Sequence, residues 1–120
     1  MGRSVTFEVP GKPQPKQRAR RGKSGRWYTP SATRQYEKHV GVAGLCALDG
    51  PRFEGRLKLT VVAYMPDQRR RDADNVAKSV SDGLNGVVWD DDDQVVELVV
   101  RKELDRDHPR TKITIEELDT

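Results

Sequence analysis

Cysteine is nearly absent from this chain. Of its 120 residues only Cys46 carries a thiol, so no disulfide can form within it, which fits a reducing cytoplasm. Cys46 lies among Leu45, Ala47 and Leu48, and this setting predicts a core or near-core residue rather than a nucleophile. Long apolar runs are also missing. No stretch approaches the ~20 apolar residues that cross a bilayer, so no membrane partner is expected. Met1 to Ser4 runs straight into a strand-like pattern, and no secretion signal is expected there. The apolar supply is lean, at 34% of residues against 34% charged, so oligomerisation would help to cover what one core leaves exposed. Neither a phosphate-cradling glycine loop nor a serine in a nucleophile context is present. His39 and His108 are far apart with no spacing partner, which gives no zinc site.

Acids are wholly absent from one segment. Between Pro10 and Tyr36 stand eight basic residues (Lys12, Lys16, Arg18, Arg20, Arg21, Lys23, Arg26 and Arg34) and no aspartate or glutamate. Between Asp67 and Asp93 stand eight aspartates. One part of the molecule suits a polyanion and the other suits a cation. Handling nucleic acid with a metal ion needs both.

The length predicts a single domain over residues 1–120. Ser4 to Val9 alternates and predicts a half-buried strand. Pro10, Pro13 and Pro15, with Gly22 and Gly25 after them, predict a flexible basic loop over residues 10–29. A helix is expected from about Ser31 to Leu48, capped by Ser31 or Thr33, with Tyr36, Val40, Ala43 and Ala47 as its apolar stripe. Gly41 and Gly44 weaken its middle. Leu57 to Tyr64 reads as a strong strand. A second helix runs to about Asn85, with Val76, Val80 and Leu84 inward and Asp74, Lys78 and Asp82 on the opposite side. Gln94 to Lys102 and Thr111 to Glu116 read as two strands, expected to pair as an antiparallel hairpin through the turn at Asp105 to Arg110. The order β-α-β-α-β-β predicts an α+β fold, a single mixed sheet with two helices packed on it.

Chemistry concentrates in two acidic groups. Asp72 and Asp74, two apart, can point to one side of an extended backbone, and hard divalent ions take such oxygen ligands. Helix capping accounts for one of these carboxylates but less well for both. Asp90 to Asp93 follow Trp89 and precede a valine-rich strand. A solvated turn accounts for some of the four; the entry to a rigid strand could aim others at a site. If the start of the second helix converges with this turn, a cation between them would relieve the repulsion. Spacing alone leaves both readings open. Lys78 lies one helical turn beyond Asp74. It is either an ion-pair partner of Asp74 or Asp82, worth ~0.3–0.5 kcal/mol, or a cation that contacts a scissile phosphate. Asp82 reads as the partner of Lys78.

The basic loop carries Lys16, Arg18, Arg20, Arg21, Lys23 and Arg26. Trp27 and Tyr28 beside them suit stacking on unpaired bases while the cations neutralise phosphates, in preference to a merely solvated tail. Arg69, Arg70 and Arg71 adjoin the carboxylates. They either balance the charge of Asp67, Asp72 and Asp74 or draw a phosphate towards the metal.

These residues resemble a known family. Met65-Pro66-Asp67, Arg69 to Asn75, Lys78, Asp82, Leu84, Trp89, Asp91-Asp92, Gln94 and Val95 together are similar to the RusA family of Holliday junction resolvases. The resemblance runs from about Leu57 to Leu118, and Tyr28-Thr29-Pro30 with Tyr36-Glu37 is like phage and prophage members. It implies that Asp72, Asp74 and Asp92 are the essential metal-binding acids, assisted by Asp91, and that Lys78 is an essential basic residue, a cation of the same site. It implies Mg2+ as cofactor, with Mn2+ able to substitute, and no small-molecule cofactor. It also implies a homodimer that resolves four-way DNA junctions by paired symmetric nicks, in recombination and repair. A nuclease for flaps or forks, or a branched-DNA-binding module without cleavage, shares the same features.

Overall fold

In the computed structural model, residues 2–69 and 72–118 are described. The expected α+β fold is present, with the two helices against one mixed sheet. The elements run β1 (Ser4–Pro10), β2 (Arg20–Arg21), β3 (Trp27–Tyr28), α1 (Ser31–Ala47), β4 (Leu57–Met65), α2 (Ala73–Leu84), β5 (Val95–Leu104) and β6 (Arg110–Glu117). A short 3₁₀ turn at Asp92–Gln94 leads into β5. No helix is long and apolar enough to cross a membrane.

The main sheet has the order β1-β6-β4-β5. β4 is central, and its alternation is complete: Leu57, Leu59, Val61, Ala63 and Met65 are buried, while the residues between them are half-buried on the other face. Val76, Val80 and Leu84 of α2, Val40 and Tyr36 of α1, and Ile113 and Ile115 of β6 close the core with Trp89 and Phe53.

Four expectations need correction. First, β5 and β6 are not a hairpin. β6 pairs antiparallel with β1 and β4, and β5 pairs parallel with β4 on the far side. The chain leaves β4 through α2 and returns beside it. Two valine-rich strands joined by a short turn carry no local signal that a third strand lies between them. Second, the basic segment is not wholly loop. Arg20 pairs with Tyr28 and Arg21 with Trp27, and Gly22 N–H donates to Arg26 O at 2.8 Å. Third, Cys46 is exposed. The buried face of α1 is instead Thr33, Tyr36, Val40, Gly41 and Gly44. The glycines do not weaken this helix; they let α2 approach. A Cβ on Gly83 would stand 2.6 Å from Glu37 O, and one on Gly41 would stand 2.9 Å from Gly83 O. Fourth, neither Ser31 nor Thr33 caps α1, whose N-cap is Pro30 with no side-chain cap bond. The buried Thr33 hydroxyl donates to Gln17 Oε1 at 2.9 Å and accepts from Gln17 N–H at 3.2 Å. It pins the basic segment against the helix.

Candidate functional site

The acids fall at the two ends of α2. Asp72 is its N-cap residue and Asp74 lies in its first turn. This end follows Met65, whose carbonyl accepts from Asp105 N–H at 2.8 Å beyond the C-terminal end of β5. Leu84 ends the helix at the opposite end of the sheet, where Val87 and Val88 N–H donate to Leu84 O and Phe53 N–H donates to Val88 O. There the chain turns through Asp90 to Asp93 and enters β5, whose first residue pairs with Leu57, the first of β4. The expectation that the start of α2 converges with the acidic turn is therefore corrected for a single chain. The helix runs back along the parallel strands, and its 12 residues separate the two groups by about 18 Å.

The acidic turn is braced from within. Gln94 is its hub: Oε1 accepts from Asp90 N–H at 3.0 Å and Asp91 N–H at 3.1 Å, and Nε2 donates to Phe53 O and Gly55 O, both at 3.1 Å. Asp91 caps the 3₁₀ turn, with Oδ1 accepting from Asp93 N–H at 3.0 Å. Asp92 Oδ1 accepts from the indole N–H of the fully buried Trp89 at 2.8 Å. Asp90 faces Arg52 at 2.9 Å. No side-chain contact to Asp93 occurs among the described residues. The four adjacent carboxylates thus differ sharply: Asp92 is aimed by a rigid donor, Asp91 holds the turn, Asp90 is paired at the surface and Asp93 is solvated.

The other end is open. Among the described residues Asp72 accepts only from Asn75 Nδ2 at 3.4 Å, and no protein group contacts the side chains of Asp74 or Lys78. Asp72, Asp74 and Lys78 are all exposed. Asp82 pairs with Lys16 at 3.0 Å rather than with Lys78. Lys16 also meets Glu37 at 2.6 Å. Partial burial opposes its charge, yet the hydrogen bonds and charges of Glu37 and Asp82 outweigh this and raise its pKa above the ordinary lysine value. Lys16 N–H donates to Asn75 O at 2.8 Å, so the basic segment is clamped across the start of α2. A polar cleft of about 340 Å³ results, lined by Lys16, Gln17, Arg18, Ala19, Asn75 and Lys78. Arg18, Arg20, Arg21, Lys23, Arg26 and Arg69 are exposed around it or on the adjoining hairpin, and Trp27 is 70% exposed at the hairpin's far strand. Arg70 and Arg71 lie outside the described residues.

Among the described residues no three histidine, cysteine, aspartate or glutamate side chains come together to hold a metal ion. One chain does not complete the set Asp72, Asp74 and Asp92. The Asp72 and Asp74 pair does fit the lesser demand of a hydrated Mg2+, which takes one or two carboxylates and fills its shell with water and phosphate.

The contacts of several residues that shape the site are not evident in the sequence. Gln94 had a usable signal, since Asp91 followed three residues later by Gln is capping-box spacing. Glu37, Thr33 and Gln17 had none, because their contacts join segments distant in the chain.

The family model "Endodeoxyribonuclease RusA" matches residues 10–116, from the basic segment into β6, and so takes in both ends of α2. The crossover junction endodeoxyribonuclease RusA of Escherichia coli (strain K12) is 40% identical over 63 residues, and that of Shigella sonnei (strain Ss046) is equally similar. Each match spans about half of both partners, 52% of this chain and 52% of the relative. A family match over nearly the whole chain shows that it belongs to the RusA family of endodeoxyribonucleases.

Proposed function

We propose that this protein is a Mg2+-dependent endonuclease that resolves four-way DNA junctions, acting as a homodimer that nicks two strands symmetrically. One observation carries the reading. Asn75 and Lys78 of α2 line a cleft whose other wall is the clamped basic segment, and Asp72 and Asp74 stand at the start of the same helix, Asp74 one turn before Lys78. A phosphate drawn into that cleft meets Lys78 from the helix and Arg18 from the basic segment, close in sequence to Asp72 and Asp74.

Asp72, Asp74 and Asp92 are the metal-holding acids in this reading, with Asp91 in support and Mn2+ able to replace Mg2+. When bound, the cation supplies Lewis acidity towards the phosphodiester and makes an attacking water more acidic. Lys78 offsets charge developing on the phosphate, and with no partner among the described residues its ammonium is left for that task. Lys16 sets the position of the basic segment through Glu37 and Asp82. Arg18, Arg20, Arg21, Lys23 and Arg26, with Arg69 to Arg71, hold the DNA backbone, and Trp27 and Tyr28 offer faces to unpaired bases. The helix that parts the two acidic groups, about 18 Å long, supports the dimer, in which Asp91 and Asp92 of a second copy would join the Asp72 pair. A two-fold protein also matches a two-fold junction. Such an enzyme works beside cytoplasmic DNA.

A synthetic four-way junction, incubated with the protein in Mg2+ and in chelator, tests this. Paired symmetric nicks that need the metal are expected. Binding without such nicks overturns the reading. Equal cutting of flaps and forks favours a looser branched-DNA nuclease.

A further inference from the structure

Trp89 is fully buried, yet it directly precedes the four aspartates of the acidic turn. Its backbone is held from two sides. Gly86 N–H donates to the Trp89 carbonyl, and Phe53 N–H donates to the carbonyl of Val88, both at 2.8 Å. Short bridges join Trp89 to Phe53 and to Asn85. The ring lies in the core with Phe53, Leu57 and Leu84. Close packing leaves a side chain so enclosed little freedom to turn. A buried indole N–H needs an acceptor, and this one donates to Asp92 Oδ1 at 2.8 Å.

Filling the core does not call for that bond. Phenylalanine fills such a position with no polar atom, and a neutral carbonyl satisfies an indole as well. Here the acceptor is a carboxylate, so the bond is charge-assisted and stronger than a neutral one. It also sets Asp92 apart from its neighbours. Asp91 bonds Asp93 N–H within the turn, Asp90 faces Arg52, and among the described residues nothing contacts the Asp93 side chain. Asp92 alone of the four bonds to a side chain of the core. With Oδ1 held, rotation of the carboxylate is restricted and the direction of Oδ2 is set. No group contacts Oδ2 among the described residues.

We propose that Trp89 is a positioning residue for the metal site, its indole N–H fixing the Asp92 carboxylate before the cation arrives. The proposal rests on the reading of Asp92 as a metal-holding acid. It adds why one carboxylate of four serves, and it places the control of metal affinity in the core. The gain is preorganisation. An aspartate free on a turn loses rotamer freedom when it takes an ion, whereas Asp92 has lost much of it on folding. Groups that orient a metal ligand change metal affinity about 10- to 100-fold when they are removed.

The test removes the N–H and keeps the outline of the ring. Trp27 and Trp89 are the two tryptophans of the chain, so Trp27→Phe leaves Trp89 alone. Biosynthetic replacement of tryptophan by β-(3-benzothienyl)alanine then puts sulfur in place of the N–H. Mn2+ binding without DNA is read from the electron paramagnetic resonance of the free ion. Against the Trp27→Phe parent, the sulfur analogue should bind Mn2+ about 10- to 100-fold more weakly. The Mg2+ needed for half-maximal junction cleavage should rise by a similar factor, and excess Mg2+ should restore the rate. A merely structural role would lower the rate without moving the Mg2+ requirement. Asp92→Asn keeps an oxygen for the indole and gives up the charge. In the parent Mn2+ should quench Trp89 emission, and Asp92→Asn should keep the emission and lose the quenching. Unchanged Mn2+ affinity in the sulfur analogue, with affinity lost in Asp92→Asn, overturns the positioning role and leaves the nuclease reading standing. Unchanged affinity in both removes Asp92 from the metal and overturns the proposal together with that part of the reading. Weakened Mn2+ binding in the sulfur analogue, with no junction cleavage by the unsubstituted protein, upholds the positioning role and counts against the nuclease reading.

Discussion

The two ends of α2 hold the same kind of residue under opposite conditions. At the C-terminal end three of the four aspartates are occupied: one capping, one bonded to an indole, one against Arg52, with Gln94 tying the turn to Phe53 and Gly55. At the N-terminal end Asp74 and Lys78 have no protein partner among the described residues, and Asp72 has one long contact. Carboxylates spent on local bonds shape a turn. Carboxylates left exposed at a helix start beside a basic wall keep their oxygens available to a ligand that brings positive charge. Asp92 stands between these cases: one oxygen is fixed by Trp89, which sets the direction of the other.

The largest expected effect lies at the open end. Asp74→Asn should reduce junction cleavage by at least about 100-fold, more than the loss of a supporting partner usually causes, with binding in chelator unchanged. Cleavage that survives would erase the contrast. Next comes the packing that joins the two ends. Gly83→Ala pushes a methyl group into the Glu37 carbonyl and should destabilise the fold by about 3 kcal/mol in urea unfolding. A neutral result would mean that the helices part without cost.

The scaffold at the open end also depends on Tyr36, whose buried hydroxyl meets Thr111. Burial pushes its pKa up to about 12, against a smaller downward pull from the Thr111 hydrogen bond. The folded-state value is raised, so this group's contribution is complete below the unfolded value near 10 and is lost as pH rises towards 12. A shift of that size corresponds to roughly 2–3 kcal/mol. Alkaline unfolding curves of Tyr36→Phe should lack this part of the decline.

At the braced end, Gln94→Ala should cost about 2 kcal/mol, because two backbone donors and two carbonyls lose a partner at a half-exposed site. Cleavage should fall with it if the turn serves the metal. The smallest effect is expected for Asp93→Asn, within about 0.5 kcal/mol in stability and about twofold in cleavage. A large loss there would reassign the acid at this end.

Much was legible where the information is local. The alternation of β4 and the stripe Val76, Val80 and Leu84 follow from periods of two and 3.6 residues, and the structure keeps both. Other features were illegible for definite reasons. Gly41 and Gly83 look like helix weakeners until a second helix is laid across them. Cys46 looks buried among apolar neighbours because the rotation of α1 is set by those glycines rather than by the leucines. Lys16 reads as one more cation of a basic run, and only folding brings Glu37 and Asp82 to it.

By itself, then, the sequence determined the order of the main helices and strands, the faces of β4 and α2, the separation of basic from acidic segments and the residues that mark the family. Each of these is written in spacing along the chain. Tertiary structure alone decided that β4 lies between β5 and β6, and that α2 carries the acids to opposite ends of the sheet. Those outcomes depend on which strand edge a returning chain finds and on the length of a helix packed against it, which no local pattern encodes.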